Sequence, residues 1–449
     1  MGGTGSERAF GRRRMLTGGV AALAAPLVLP GAAAGQATRH AQRAITLGFA
    51  VPLTGAYAAE GADEADALAL ALDHLNGEGR DAGMLATFRY ADGTPTVLTG
   101  DGVLGRRVAA LTSDTATNAS VARDAAAGLI RDGASMVTGG ASSGSALAMQ
   151  AVCDTAGVIF MTGLTHSNEV TGARRARHGF RHFFNAHMSA QALAPALVDS
   201  LGANRRAYYL TANYSWGWSA EASMRAATEA LGWETVAART TPLGRHDFSE
   251  YIAPFFFTEA DVLILSHYGG DMQVSLAQAM AYRLREREVN GRRVEIVVPL
   301  WSRLAAGAAG EAAEGILGAV NWHWSLRDAG SRAFTASFET AYGRKPTQAA
   351  HTCYTQVLLW ADAVERAGTL DPCGLIEALE DFRFDGLGVG PSFYRGADHQ
   401  CFKDVVVARG QREGEPLVID AITDAADVTY APDHPSFAAA PLGGCDRRS

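Results

Sequence analysis

The chain has 449 residues, of which 48% are apolar and 19% charged, with a formal net charge of −8. That length exceeds what one hydrophobic core usually serves, so two lobes are expected, and the apolar content excludes a wholly disordered chain. Without the first 37 residues, which carry four Arg and one Glu, the formal charge falls to −11. An acidic body argues against nucleic-acid binding, which wants a basic face.

Residues 1–37 read as an export signal. Arg12-Arg13-Arg14-Met15-Leu16 precedes a short apolar core at 18–29. Small residues at 32–34 or 35–37 then offer a cleavage site. The pattern resembles a twin-arginine signal, with an ordinary secretory signal as the alternative because Gly11 and Thr17 flank it. No later run approaches the ~20 apolar residues a membrane span needs.

Residues 45–51 form a first apolar strand that ends at Pro52-Leu53-Thr54-Gly55, with Tyr57 in the loop. From Asp63 a helix follows, with Ala65, Leu68, Leu72 and Leu75 on one face and Asn76-Gly77 as its stop. The stretch 79–106 is rich in Gly and lacks a period, so it reads as an inserted loop with room for a hairpin. A strand at 108–111 and a helix at 121–130 come next. Asp114 and Asp132 read as cap or turn residues.

The stretch 134–166 organises the rest. An apolar run at 134–137 stops at Gly139-Gly140, and Ser142, Ser143 and Ser145 open a helix that Gly157 closes. A second apolar run at 158–161 stops at Thr162-Gly163. Strand, Gly/Ser loop, helix and strand make a βαβ unit, hence a parallel sheet buried on both faces. Ligands of such sheets collect beyond the carboxyl ends of the strands. Ser142, Ser143, Leu164, Thr165 and His166 lie there in sequence.

Extended chain at 180–185 and a helix at 190–201 lead into a second α/β series. Its strands, at 207–210, 235–238, 262–265, 296–298 and 316–320, end near Trp216, Tyr268, Trp301 and Trp322, with Trp324 beyond. Between them, helices are expected from the loop at 213–218 to about 231 and at 274–289, and 248–255 is helical or irregular. Tyr57 belongs to the same aromatic set. A ring that follows a strand end and neighbours Gly, Ser or His suits a pocket lining, although such rings also fill cores. The lining fits a planar or apolar ligand, or a quaternary ammonium through cation–π contact. Helices at 334–342 and 354–367, antiparallel strands near 390–394 and 405–408, and a loose tail after 424 complete the chain.

Five cysteines stand far apart without a CxxC pair. A Cys373–Cys401 disulfide is one option, and Cys153 reads as a buried small residue. No metal and no cofactor is expected. His178, His182 and His187 fit helical ligand spacing only in part, on a segment that reads extended. Gly140-Ala141-Ser142-Ser143-Gly144 matches the nucleophile elbow of α/β-hydrolases. A rival reading is therefore a secreted hydrolase with Ser142, Asp261 and His351.

The blocks ITLGFAVPLTGAYAAEGADEADALALALDHLNGEG, 134–166, YYLTANYSWGWSAEASMRAATEALGWE, HTCYTQVLLWADAVERAG and YRGADHQCFKDVVV occur in that order. From Ile45 to about Ala421 the chain thereby resembles the type I periplasmic solute-binding proteins of ABC importers, the leucine/isoleucine/valine-binding family. The insertion 79–106 departs from that pattern. The resemblance implies an α/β fold of two doubly wound Rossmann-like lobes joined by three hinge crossings, near Asn185, Asn321 and Gly390. Lobe 1 would be 45–185 plus 322–390, lobe 2 would be 186–321 plus 391–422, and 423–449 a tail. It further implies a periplasmic monomer that is not an enzyme. Such a protein captures a small-molecule solute and docks on a membrane permease and ATPase, or serves as the sensing subunit of a receptor.

In the family a serine of the Gly/Ser loop and donors of the next loop hold the ligand carboxylate. Ser143 matches the first and Leu164 a backbone donor, while His166 replaces a threonine. Leu300 stands where amino-acid binders carry an acidic partner for the ligand ammonium. A buried ammonium without a counter-charge is costly, so a plain α-amino acid is not expected unless Asp271 or Glu60 substitutes. Arg303 is a candidate partner for a carboxylate.

Overall fold

The computed structural model describes residues 44–437 and 439–445. The export signal read at 1–37 lies outside the described residues. Two parallel sheets form the frame. In the first, Ile45–Val51 pairs with Val108–Asp114 on one side and Met136–Gly139 on the other, and Ile159–Thr162 and Gly179–Arg181 extend it. In the second, Arg206–Ala212 lies between Glu234–Thr241 and Val262–Ser266, with Glu295–Val297 outermost. The central strands are buried almost throughout, which is why they read as unbroken apolar runs.

The helix Ala58–Leu75 starts five residues earlier than its apolar period suggests and packs along Gln348–Ala367. Asp114, expected in a cap or turn, is the last residue of its strand. Its carboxylate accepts from the N–H groups of Leu53 (2.9 Å), Thr54 (3.2 Å) and Ala116 (2.8 Å), fixing the loop after the first strand.

The insertion is not a free loop. Its strand Arg89–Tyr90 pairs with Arg383–Asp385, which pairs in turn with Ser392–Tyr394 and then Cys401–Phe402. Phe88 is buried edge-on to Phe382 and Phe384, and Tyr90 donates to Asp362 at 2.9 Å. Gly386 has φ +78°, and a Cβ there would sit 1.9 Å from the Thr87 carbonyl, so only glycine admits this contact. The stretch 391–402, expected beyond the third crossing, thus stays in this sheet, and the chain leaves it only at Lys403-Asp404. From there Val405–Gly410 runs antiparallel to both Leu317–Val320 and Leu417–Thr423.

Three passages of chain meet at Asn321. Its side-chain oxygen accepts from the Phe184 N–H at 3.0 Å and its amide donates to Thr352 at 3.1 Å. Its backbone carbonyl accepts from the buried Lys403 ammonium at 3.5 Å. Burial of that lysine lowers its pKa to about 7.

The tail departs from expectation. Tyr430 stacks on Phe437 at 3.9 Å and its hydroxyl accepts from Asn185 at 2.8 Å. Arg175 donates to the carbonyls of Ala439 and Ala440, both at 2.8 Å. Cys373 bonds to Cys445, not to Cys401. Cys401 is buried in a strand paired with Ser392–Tyr394, whereas the folded-back tail brings Cys445 to the first turn of Pro372–Leu379. The bridge spans 72 residues, and closing a loop of that size is worth up to about 4 kcal/mol. Scanning calorimetry with and without reductant is expected to show a melting point lower by several degrees in the reduced protein. A Cys373→Ala/Cys445→Ala variant should match the reduced protein and ignore reductant; an unchanged melting point in both would refute the stapling role.

Candidate functional site

Gly139 and Gly140 adopt positive φ, and a Cβ on Gly139 would lie 2.1 Å from the Ala50 carbonyl. The tight turn sets Ser142 at the N-cap of Ser143–Ala156, without a side-chain cap bond. Ser143 accepts from the Ser167 N–H at 3.1 Å, and Thr165 donates to the Gly140 carbonyl at 3.2 Å, so both hydroxyls brace the loops.

His166 is buried, and desolvation holds its pKa well below the usual range, so the ring is neutral. Its Nδ1 accepts from the Trp216 indole at 2.7 Å, which leaves the proton on Nε2. That buried Nε2–H makes no hydrogen bond of good geometry, although the Asn185 backbone lies close to it. It is a donor suited to an anionic or amide oxygen.

Trp216 follows Arg206–Ala212 and therefore comes from the second sheet. Other contacts also join loops of the two sheets. The Tyr57 and Tyr214 hydroxyls are 2.7 Å apart, and Ser167 Oγ lies 2.5 Å from Ser215 and 3.0 Å from Ser219. Tyr57 meets Tyr268 edge-on at 5.6 Å, Trp216 meets Tyr268 at 6.2 Å, and Tyr214 meets Trp216 at 6.0 Å. Tyr57, Leu164, Trp216, Tyr268 and Leu300 belong to one buried apolar cluster, so the structure brings these candidates together.

Trp301 and Trp322 are not part of that group. Trp301 donates to the Ile316 carbonyl at 3.1 Å and fills the space over Gly318. Trp322 stacks on His351 at 4.6 Å and donates to Ser331 at 2.8 Å. Both are core rings, because alternate residues past a strand end turn to opposite faces. Trp324 lies under the Lys345 ammonium at 4.5 Å. Arg303 is committed to Glu415 at 2.6 Å, and Asp271 to the Gly244 N–H at 3.0 Å.

The residue types alone did not point to Glu64, Tyr214, Ser302 and Gln348. Glu60 accepts from Ser302 and, at 3.2 Å, from Tyr268, while Gln348 donates to the Trp301 carbonyl at 2.7 Å. Glu60 is 2% and Glu64 0% exposed. Both oxygens of Glu64 and one of Glu60 have no partner; the Leu164 N–H lies close to Glu64 but outside hydrogen-bond geometry. Desolvation pushes Glu60 up to about 7 and Glu64 to about 8. A signal for them existed: 60, 64, 67, 68 and 71 form one helical stripe, so the two carboxylates stand on the buried face.

The rival triad is not assembled. Asp261 accepts from the Arg206 N–H at 2.7 Å and pairs with Arg205, while His351 Nε2 lies 2.7 Å from the Leu387 carbonyl. The three histidines also diverge, His178 to Asp154, His182 to Phe384, and His187 to Tyr430 and Phe437. An open depression of about 590 Å³ beside Trp218, Ala222 and Ala226 is not lined by Tyr57, Leu164, Trp216, Tyr268 or Leu300.

The family model described as periplasmic binding protein matches residues 44–415. The chain belongs to the periplasmic binding protein family. A Leu/Ile/Val-binding protein homolog 4 from Brucella melitensis is 23% identical over 320 residues, 68% of this chain and 74% of that one. A periplasmic binding protein from Burkholderia mallei superposes with a TM-score of 0.74 at 19% identity, covering 86% of this chain and 96% of the other. A solute-binding protein of an ABC transporter from Rhodopseudomonas palustris, solved with 3,4-dihydroxybenzoic acid, gives 0.71 at 19% identity, over 85% and 98%. The resemblance to the Leu/Ile/Val-binding family is borne out, and so is the type I fold with two Rossmann-like lobes. No helix among the described residues is long and apolar enough to cross a membrane.

Proposed function

We propose that this periplasmic binding protein is the solute-binding component of an ABC importer. It closes two lobes on a small organic solute and presents the closed form to a membrane permease and its ATPase. It works in the periplasm as a monomer and has no chemistry of its own. The observation that carries this reading is the convergence of buried aromatic and polar groups from both parallel sheets on one seam, where hydroxyls and rings of opposite sides already touch. In this reading the first lobe runs to about residue 185 and resumes from 322 to 402. The second takes 186–321 and 404–422. Hinge motion at the three passages opens and shuts the seam.

The solute we infer is aromatic or apolar with a carboxylate or amide; Leu300 gives the ammonium of a plain α-amino acid no counter-charge, so that class would need Glu60 in its place. The His166 Nε2–H, which has no well-formed bond, and the Leu164 N–H beside Glu64 supply donors for the oxygen, and the tyrosines and Trp216 supply the lining. The dihydroxybenzoic acid in the Rhodopseudomonas palustris relative supports an aromatic guest for this fold. A thermal-shift screen against a solute library, with Trp fluorescence as second readout, tests the reading. A solute at 100 times its Kd should add roughly 2.7 kcal/mol of stability. If no solute moved either signal, or if the purified protein turned one over, the reading would fail.

A further inference from the structure

We propose that the solute carries a positively charged nitrogen, an ammonium or quaternary ammonium, seated against Tyr57, Tyr214, Trp216 and Tyr268 with Glu60 and Glu64 as its counter-charge. This deepens the capture reading and rests on it.

The four rings form a chain of contacts with centroids 5.6–6.2 Å apart, or hydroxyls 2.7 Å apart. Glu60 is fastened to this chain from the opposite sheet. The Tyr268 hydroxyl and Ser302 both donate to its Oε1, and Oε2 is left buried and unpartnered. Glu64 follows one helical turn later on the same face, with both oxygens buried and unpartnered. Three buried carboxylate oxygens without donors are costly in an apolar setting and are poor packing groups. The third acidic group of the helix shows the contrast. Asp63 is fully engaged by Arg344 and by the Thr347 N–H at 3.0 Å.

The charges that raise Glu64 are those of Glu60 and Asp63, and the one that raises Glu60 is that of Asp63, all negative. Asp271 adds negative potential at Tyr57 and Tyr214. Aromatic faces beside desolvated carboxylates attract a cation, while the carboxylate or amide oxygen of the same solute turns to the donors at Leu164 and His166. The acidic partner that Leu300 does not provide is thus supplied from the helix of the other lobe.

The charge has a pH signature. Glu60, Asp63 with its partner Arg344, and Glu64 on the helix, Tyr57 before it, Cys353 on the helix packed along it, neutral His166 bonded to Trp216, and Tyr214, Tyr268 and Asp271 from the facing lobe are the titratable and charged groups around the seat. The raised carboxyls of Glu60 and Glu64 hold protons near neutrality and must release them to pair with a cation. Affinity for a cation therefore rises from pH 6 to pH 8, and binding releases protons.

The test uses titration calorimetry of the full protein at pH 6, 7 and 8. The probes are choline, tetramethylammonium, glycine betaine and phenethylammonium, set against uncharged 3,3-dimethylbutan-1-ol and anionic benzoate. At least one cation is expected to bind about tenfold or more tighter than the uncharged isostere. Its affinity should increase with pH, and Glu60→Gln should erase the preference, with unchanged circular dichroism as the folding control. Glu64→Gln, farther from the rings, should flatten the pH dependence. If benzoate bound and every cation failed, or if Glu60→Gln kept the full preference, this proposal would be overturned while solute capture stood. If neither these probes nor a wider library bound, both would fall.

Discussion

At pH 8 the ligand-free Glu64→Gln protein is expected to be more stable than the parent by roughly 2–4 kcal/mol, and the gain should vanish by pH 5. The reason is burial. Glu64 is fully desolvated, and its carboxyl titrates at about 8 in the folded protein against 4.5 ordinarily. Between those values the folded state keeps a proton that the unfolded chain has released. Stability associated with that proton is complete below the unfolded pKa and is lost as pH rises through the folded one. Glutamine does not titrate and so escapes the loss. One pK unit corresponds to about 1.36 kcal/mol, and the range given is discounted because an opened seam would wet the carboxyl. Urea unfolding at pH 5 and pH 8 measures the difference; an equal effect at both values would remove the argument. A group that destabilises the empty protein at neutral pH, on a face meant for packing, is a hallmark of a site kept for binding.

Trp216→Ala and Trp301→Ala are expected to fail in different ways, although both tryptophans follow strand ends. Trp216 touches Tyr214 and Tyr268 and donates to His166 at the seam between lobes. Its loss should lower affinity for the captured solute on the order of a hundredfold, the range of a buried aromatic anchor, and release the His166 Nδ1. Trp301 has no exposed surface, bonds to the Ile316 carbonyl and is packed over Gly318. Its truncation should cost about 3–5 kcal/mol of stability. Fluorescence titration and calorimetric melting on each variant separate the two effects. Equal affinity loss in both would return Trp301 to the seam, and an unaffected Trp216→Ala would remove the aromatic lining from the site.

The frame was legible because buried parallel strands leave a plain mark. The run at 45–51 is a strand, those read at 134–137 and 158–161 are strands shifted to 136–139 and 159–162, and Gly140 and Gly163 follow the latter two. The loops that line the seam could be named from the same logic, and Tyr57, Leu164, Trp216 and Tyr268 do meet. Direction past a strand end could not be read. Whether a ring turns toward the seam or the core depends on the opposing layer, which is why Trp301 and Trp322 were grouped with Trp216. The helix Pro372–Leu379 was missed despite its Asp371 cap and Pro372, because eight residues give too little period. The bridge partner of Cys373 depended on where the tail folds, a long-range contact with no local trace. Glu64 is visible in principle as an acid on the apolar stripe that carries Ala67, Leu68 and Ala71.

Asn321 holds more than its own segment. One amide group and one carbonyl clasp the other two connectors, through the Phe184 N–H and the Lys403 ammonium. In the proposed closure, these two contacts would spread the swing of one lobe against the other over all three connectors rather than concentrate it in one.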